Sequence, residues 1–389
     1  LTEKLTERYA DDEKDKRNIS IVSSGRGAEH TNLGILNITW YDVRRRKVRI
    51  KQAGRGGTGS VFRDKKILAI VTKYTGVNAG SNNAAYPELL KKAGQRLTKE
   101  ILKLDHIQNG MRETGTVNLL DHMQNYNCLP VHNYKFGSHP EAFKIENKVW
   151  HQRITQNQAG DSCWMGCAMR CAHAVDAFEL STGPLKGEKV LVDGPEYETA
   201  AGFGGNCGCF DPDFVLEANF YCDNYGMDTI GVSTTMAFLM ECYENNIVNK
   251  EITGGLELTF GNAKAALELI HQMAEGKGFG KIAGLGIRQI KKILVEKYGA
   301  DAKFLQDIGM ECKGMEFSEY VTKESLAQQG GYGMANKGPQ HDENWLIFMD
   351  QVNNQIPTFE DKAAAIRYFS LFRTWFSLVG LCKLPWNDI

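Results

Sequence analysis

The sequence predicts an α+β chain, a β-rich block followed by a longer helical body, on three observations. Between residues 18 and 74 the apolar residues fall in short β-branched runs separated by polar or glycine-rich turns. From about Glu88 they recur instead at three- and four-residue spacing, as one face of a helix requires. Several of these later segments also begin after Asp, Asn or Ser and end at Gly, residues that cap helices.

In order, a charged opening "LTEKLTERYADDEKDKR" reads as helix, and "NISIVSSG", "LGILNITWYDV", "KVRIKQAG" and "KKILAIVTKY" read as strands. The basic run "VRRRKVRIK" at 43–51 alternates charge with apolar residues, the pattern of a half-exposed strand. Residues 107–162 are rich in Asn, Gln, His and Gly with little periodicity, and read as a long, partly irregular connection that lines a site. Helices are predicted in "ELLKKAGQRLTKEILKL", "DPDFVLEANFYCDNYG", "STTMAFLMECYENN", "NAKAALELIHQMAEG", "IRQIKKILVEKYG" and "DKAAAIRYFSLFRTWFSLVGL". The expected domains are 1–98, 99–310 and 311–389.

At 389 residues and 42% hydrophobic composition the chain can bury more than one core. A net charge of −1 gives no electrostatic case for nucleic acid or an anionic membrane surface. No apolar stretch approaches the roughly 20 residues of a membrane-spanning helix, so membrane insertion is not expected. Ten cysteines in a chain this large are expected to be reduced thiols in the cytoplasm rather than a disulfide framework. The chain opens on Leu1 and stops seven residues after its last cysteine, which suggests a piece of a longer polypeptide.

The run "DSCWMGCAMRC" places Cys163, Cys167 and Cys171 at C-x3-C-x3-C spacing. A local turn can bring three such sulfurs to one side, so an iron–sulfur cluster, structural zinc and buried thiols are all open on the residues alone. A fourth ligand must come from far along the chain. Cys382 suits it, because it follows a predicted helix end at Gly380 and precedes Pro385, which places its sulfur on a turn. Cys222 and Cys242 fall within helical patterns and are expected in the core.

"GRGGTG" at 54–59 fits the dinucleotide-binding pattern, but "SVFRDKKILAIV" reads as a continuing strand and no acidic residue follows about 20 positions on. A glycine-rich turn beside Arg55 can still present N–H groups and a guanidinium to a phosphate. "DGPEYETAAGFGGNCGCFD" at 193–211 carries Glu196 and Glu198 beside residues of almost no bulk, either a surface turn or a backbone approached by something large and flat. "GGYGMANKGPQHDEN" at 330–344 has the same character, with His341 as its group able to titrate near neutrality.

Taken together and in order, "RGGTGSVFRDKKILAI", the cysteine run, "GPEYET", "FGGNCG", "DNYGMDT", "KGME", "GYGMANKGPQH" and "GLC" resemble the tungsten-containing aldehyde ferredoxin oxidoreductase family. In "WHQRITQNQAGDSCWMGCAMRC" and "GLCKLPWND" the chain is more similar to the family's benzoyl-CoA-reducing members than to its aldehyde oxidisers. The resemblance implies a β-sheet domain, partly missing here, that cradles a tungsten bis-pterin, and two mainly helical domains that close over it. It implies a [4Fe–4S] cluster on Cys163, Cys167, Cys171 and Cys382, although the family's usual spacing is C-x2-C-x3-C.

The same resemblance assigns Arg55, Gly56 and Gly57 to the pterin loop and Asp223 and Asp228 to a pterin-contacting motif in which Met227 replaces Leu. Ser377 stands where the second copy of that motif often has Asp. Asn336 and Lys337 match an Asn-Arg pair, Glu196 a carboxylate near the metal, and His341 a proton donor. Cys207 or Cys209 is a further expectation as a tungsten ligand, since a soft thiolate suits that ion. The implied activity is reduction of benzoyl-CoA to a cyclic dienoyl-CoA with electrons from iron–sulfur partner subunits; aldehyde oxidation with ferredoxin as partner is the alternative.

Overall fold

The computed structural model describes residues 1–75, 84–108, 110–154, 161–163 and 167–384. The residues between Cys163 and Cys167 and the Pro385–Trp386 segment, on which parts of the cysteine and C-terminal readings fall, lie outside them.

The N-terminal block opens with helix α1 (Thr2–Tyr9) and forms an antiparallel sheet of β1 (Ile19–Ser23), β2 (Leu36–Asp42), β3 (Lys47–Ala53) and β4 (Ala69–Lys73), in the order β3-β2-β1-β4. Register pairs Ile21 with Thr39 on one side and Val71 on the other. Burial alternates along β1, with Ile19, Ile21 and Ser23 inward, so the period-two pattern of the sequence carries a one-sided sheet. The basic run departs from its reading as a half-exposed strand twice: residues 43–46 form the turn between β2 and β3, and Arg49 is only 2% exposed.

Helix α2 (Thr58–Asp64) follows the glycine-rich turn, where the sequence suggested continuing strand. Gly57 caps it at φ 74°, a conformation that costs glycine nothing and lets the chain reverse into a helix at once. The refusal of a dinucleotide fold stands on different ground. Every pairing in this sheet is antiparallel, whereas that motif needs a parallel βαβ unit.

Beyond α3 (Pro87–Gln108), the supposedly irregular stretch is largely short helix: α4 (Met111–Thr114), α5 (Leu119–Asn125) and α6 (Asn147–Arg153). Their apolar residues Leu120, Met123 and Trp150 are buried, but each element is too short to show a period. A hairpin, β5 (Ala174–Glu179) and β6 (Lys189–Asp193), precedes α7 (Tyr197–Ala200) and a π-turn over Ala201–Asn206. This last segment is buried throughout rather than a surface turn.

The predicted long helices are all present. Helix α8 (Pro212–Tyr225) is capped by Asp211 and ends at Gly226, and α9 (Thr229–Glu244) is capped by Asp228. Residues Ile230 to Met240 of α9 are buried on every side, which makes it the central helix, and Cys222 and Cys242 are core residues as expected. Helices α10 (Ala263–Glu275), α11 (Gly280–Ala283), α12 (Ile287–Tyr298) and α13 (Ala302–Ile308) surround it, followed by the short pair β7 (Glu311–Cys312) and β8 (Met315–Glu316), α14 (Leu326–Met334) and α15 (Phe359–Val379). Among the described residues no helix is long and apolar enough to cross a membrane.

Sheet and helices meet along one backbone seam. Ile35 N–H donates to the Gly226 carbonyl at 2.8 Å, and Asp228 N–H donates to the Leu33 carbonyl at 2.8 Å. Asn37 adds a side-chain bond to the Asp223 carbonyl at 3.0 Å. The approach is so close that a Cβ at Gly25 would lie 2.1 Å from the Tyr225 oxygen and 2.5 Å from the Gly226 nitrogen. Backbone on both sides leaves nothing flexible to move. Gly25→Ala is therefore expected to destabilise the protein by about 1–3 kcal/mol, read as a lower melting temperature, with Gly54→Ala, whose Cβ would meet nothing within 4 Å, as the left-handed control that tests backbone strain alone.

Candidate functional site

A cavity of about 1410 Å³ opens where β3, the α2 turn, α7, the α8–α9 turn, the loop after α14 and the end of α15 converge. It gathers Arg55, Glu196, Asp223, Asp228, Lys337 and His341 from segments far apart in sequence. Ser377, at the position where an Asp was considered, also lines it.

At the sheet side the Arg55 guanidinium is the organising group. Its Nε donates to Asp228 Oδ2 at 2.8 Å and one Nη to the Glu316 carbonyl at 3.0 Å, while its other Nη is buried with no hydrogen-bond partner. Asp228 also accepts from Ile230 N–H at 3.1 Å, so one carboxylate both caps α9 and fixes Arg55. Glu316, buried beneath, accepts from Ile287 N–H at 3.0 Å, and burial raises its carboxyl to about 7. Gly54 lines the cavity beside Arg55, whereas the expected Gly56 and Gly57, at φ 83° and 74°, carry the turn and do not line it.

Beside it lies a second charged group that the sequence did not single out. Lys51 Nζ stands 2.5 Å from Asp193 Oδ2, and Arg49 pairs with the other Asp193 oxygen and, at 2.7 Å, with Asp161. Burial alone would lower Lys51, but the Asp193 and Glu196 charges outweigh it and its ammonium is held charged. Asn219 bridges the Asp193 carbonyl and Asp223 Oδ2, each at 3.0 Å. Burial, reinforced by the Asp193 charge, pushes the Asp223 carboxyl well above its ordinary value.

At the opposite side His341 Nδ1 lies 2.6 Å from Glu198 Oε1, at ion-pair distance but outside hydrogen-bond alignment, and 3.1 Å from Ser318 Oγ. Tyr320 and Trp345 each present an edge to the imidazole with centroids at 5.9 Å, and Tyr197 stacks on Tyr320 at 4.7 Å. From α15, Arg373 donates to the Asp342 carbonyl at 2.7 Å and the His341 carbonyl at 3.2 Å, and Lys383 holds Asp342 Oδ1 at 2.5 Å. The backbone that carries His341 is thus clamped from the end of the chain.

The two carboxylates of "GPEYET" divide their work. Glu196 accepts from Thr116 Oγ1 at 2.5 Å, on the side of Lys51 and Cys171, whereas Glu198 faces His341. The histidine's partner is the second carboxylate of the motif, and alternation two residues apart at a helix start was the signal that could have separated them. Asn336 is exposed and does not line the cavity; Lys337 does, paired with Asp342 at 2.7 Å.

Cys163, Cys167, Cys171 and Cys382 stand within electrostatic range of one another although more than 200 residues separate the first from the last. Burial and then the Glu196, Cys382 and Cys167 charges raise the Cys171 thiol well above its ordinary value. Leu384 packs with Cys167 and Cys171 against Ile101 and Met111, which brings the C-terminal turn onto the cysteine run. Among the described residues no three His, Cys, Asp or Glu side chains are placed to hold a single metal ion. Cys207 and Cys209 lie in the hydrophobic core, donate to the Ser233 and Cys207 carbonyls, and do not line the cavity.

Residues 92–389 match domains 2 and 3 of aldehyde ferredoxin oxidoreductase. A tungsten-containing aldehyde ferredoxin oxidoreductase of Pyrococcus horikoshii is 27% identical over 346 residues, 88% of this chain and 51% of that protein. The WOR-like subunit of an aliphatic sulfonate oxidoreductase of Pyrococcus furiosus is 28% identical over 295 residues, 72% of this chain and 43% of that protein. The chain spans about half the length of the curated relatives it matches. In fold it is similar to the active site complex BamBC of benzoyl coenzyme A reductase with 1,5-dienoyl-CoA, at a TM-score of 0.58 and 17% identity over 79% of this chain and 44% of that one.

Removing Arg55 leaves Asp228 buried without its cation, and breaking a buried pair from one side costs about 3–5 kcal/mol. Arg55→Met is expected to lower the urea midpoint accordingly, and Arg55→Lys, which restores the charge without the fork, to recover part of it. A midpoint unchanged in Arg55→Met would show that the pair contributes nothing to folding.

Proposed function

Because the chain belongs to the aldehyde ferredoxin oxidoreductase family, we propose that it forms much of the active site of a tungsten-dependent oxidoreductase whose reaction is the two-electron, two-proton reduction of an aryl-CoA ring, benzoyl-CoA to a cyclic dienoyl-CoA. The observation that carries the reading is the pairing of His341 with Glu198 inside an aromatic end of the 1410 Å³ cavity. An acid held against aromatic edges suits a flat, apolar acceptor that must receive protons at a fixed place.

The residues present fit the cofactors the family implies. The buried Arg55 Nη without a partner, Gly54 beside it and Lys51 near Asp223 suit an anionic, hydrogen-bonding group such as a pterin. The four thiols of Cys163, Cys167, Cys171 and Cys382 are the donor set of a [4Fe–4S] cluster. When bound, tungsten pterin and cluster supply the electron chemistry, with the electrons coming from iron–sulfur partner subunits.

The chain's own residues bind, orient and move protons. Glu198 and Ser318 take the Nδ1 side of the imidazole, which turns Nε2 toward the substrate as the proton-donating atom. Arg373 and Lys383 keep the carrying backbone from retreating. Tyr320, Trp345 and Phe348 line the aromatic end and limit the water that could compete for protons. The second reading, oxidation of an aldehyde to a carboxylic acid, is favoured by the aldehyde oxidoreductases at 25–27% identity and would use the same pair to accept a proton.

The test is anaerobic assay of the full-length protein with an artificial electron acceptor, offering cyclic dienoyl-CoA or simple aldehydes. Oxidation of the dienoyl-CoA alone supports ring reduction; oxidation of aldehydes alone transfers the site to the second reading. Loss of a positioned general acid lowers turnover by about 100- to 10,000-fold, so His341→Asn and Glu198→Gln are expected to fall in that range with tungsten content unchanged. Cys382→Ser is expected to lower the iron content and the four-iron paramagnetic signal while leaving tungsten bound. A full signal in that variant would remove Cys382 from the ligand set.

A further inference from the structure

Behind the His341–Glu198 pair lies a second acid that the scheme above does not use. Glu319 is wholly buried on the loop after β8. Its backbone N–H donates to Glu198 Oε2 at 2.7 Å, opposite the oxygen that faces His341. Its own carboxyl accepts from Asn206 Nδ2 at 3.0 Å on Oε2, and Oε1 lies 2.9 Å from Ser233 Oγ and 2.8 Å from Thr234 Oγ1.

None of these partners is a cation, so the carboxyl is buried without a counter-charge. Each hydroxyl has one proton to give. Ser233 Oγ also stands 3.1 Å from the Ile230 carbonyl and Thr234 Oγ1 3.2 Å from the Phe317 carbonyl, and carbonyls can only accept. An ionised Glu319 would draw both hydroxyl protons to Oε1 and leave the Phe317 carbonyl to the Tyr134 hydroxyl, which donates to it at 3.1 Å. With a proton on Oε1 the carboxyl donates to one hydroxyl, which passes its own proton on to its carbonyl.

The hydrogen bonds from Thr234, Ser233 and Tyr134 favour the ionised form, and the surroundings outweigh them. The titratable groups facing Glu319 are Glu198 on α7, Tyr197, Tyr134, Tyr332 and Cys207, all of them acids. Burial, and after it the Glu198 charge, raises the carboxyl to about 8. Gly202 makes room for the arrangement, since a Cβ there would lie 2.2 Å from Ser233 Oγ and 2.8 Å from Glu319 Oε1.

We propose that Glu319 is a positioning residue for the proton-handling pair, a neutral buried acid that fixes Glu198 through its backbone N–H and adds no second charge beside it. The inference rests on His341 and Glu198 acting as that pair. Ionisation of Glu319 puts a second negative charge behind Glu198.

Two measurements on the anaerobically purified, full-length complex test this. First, dienoyl-CoA-dependent reduction of an artificial acceptor is expected to change with pH through Glu319's ionisation near 8, and Glu319→Gln, which cannot ionise, is expected to lose that step. Second, a carboxyl raised from 4.5 to about 8 on folding binds a proton that the unfolded chain releases, so stability declines as pH rises across that window. The melting temperature of Glu319→Gln relative to wild type is therefore expected to climb over the same range.

A constant difference between the two melting curves overturns the neutral acid, and a pH step that survives in Glu319→Gln overturns its role at the pair. Should the variant not fold, infrared spectra of the wild type near neutral pH remain: absence of a carbonyl band from a neutral carboxylic acid overturns the inference. Failure of the functional reading is distinct. It shows as wild-type turnover in His341→Asn, whatever the melting curves report about Glu319.

Discussion

The cavity exists because two backbones touch. Residues 33–37, entering β2, lie against residues 223–228, the turn between α8 and α9, with reciprocal N–H to carbonyl bonds and glycine at the closest approach. Backbone meets backbone there, with Asn37 adding one side-chain bond, so the sheet and the central helix are held at fixed separation. Arg55 then reaches across to Asp228, the residue that caps α9. One carboxylate thereby sets the start of the most buried helix and the position of the guanidinium in the wall. A change of spacing along this seam would alter both sides of the site together.

The electrostatics follow from that geometry. Taking Arg49, Lys51, Asp161 and Asp193 out of water is costly, and their mutual attraction roughly offsets the cost rather than adding stability. What the network secures is relative placement. Arg49 ties β3 to Asp161, two residues before the first cysteine of the run, and to Asp193, which through Asn219 aligns Asp223. The charges are therefore paired across segments rather than along them, and slipping β3 by one residue would turn Arg49 and Lys51 to the other face.

Much of this could be read from sequence where period or capping is strong. The long helices, the sheet strands and the turn carrying Cys382 fall where apolar spacing and glycine placed them. Short elements were opaque: α2 was mistaken for strand because seven residues show no helical period and "SVF" favours strand locally. Arg49 looked like a surface residue because its partners lie over 100 positions away. Glu198 and Glu319 had the same disadvantage, since a buried acid is marked by what surrounds it and not by its neighbours in the chain. The resemblance did bring Arg55, Asp228 and His341 to one cavity, but it assigned the carboxylate role to Glu196, whereas Glu198 is the one that faces His341.

The division between the two carboxylates gives the site a direction. Glu196 and Lys51 stand on the side of Cys171 and Asp223, where charge and polarity dominate; Glu198 and His341 stand among Tyr320, Trp345 and Tyr197. In the proposed reaction electrons and protons would thus arrive from different sides of the cavity, the aromatic residues standing on the side of His341. Because Tyr197 sits between Glu196 and Glu198 at a helix start, the backbone itself sends the two acids to different walls. A two-residue spacing in one short motif is enough to separate the polar half of the cavity from its aromatic half.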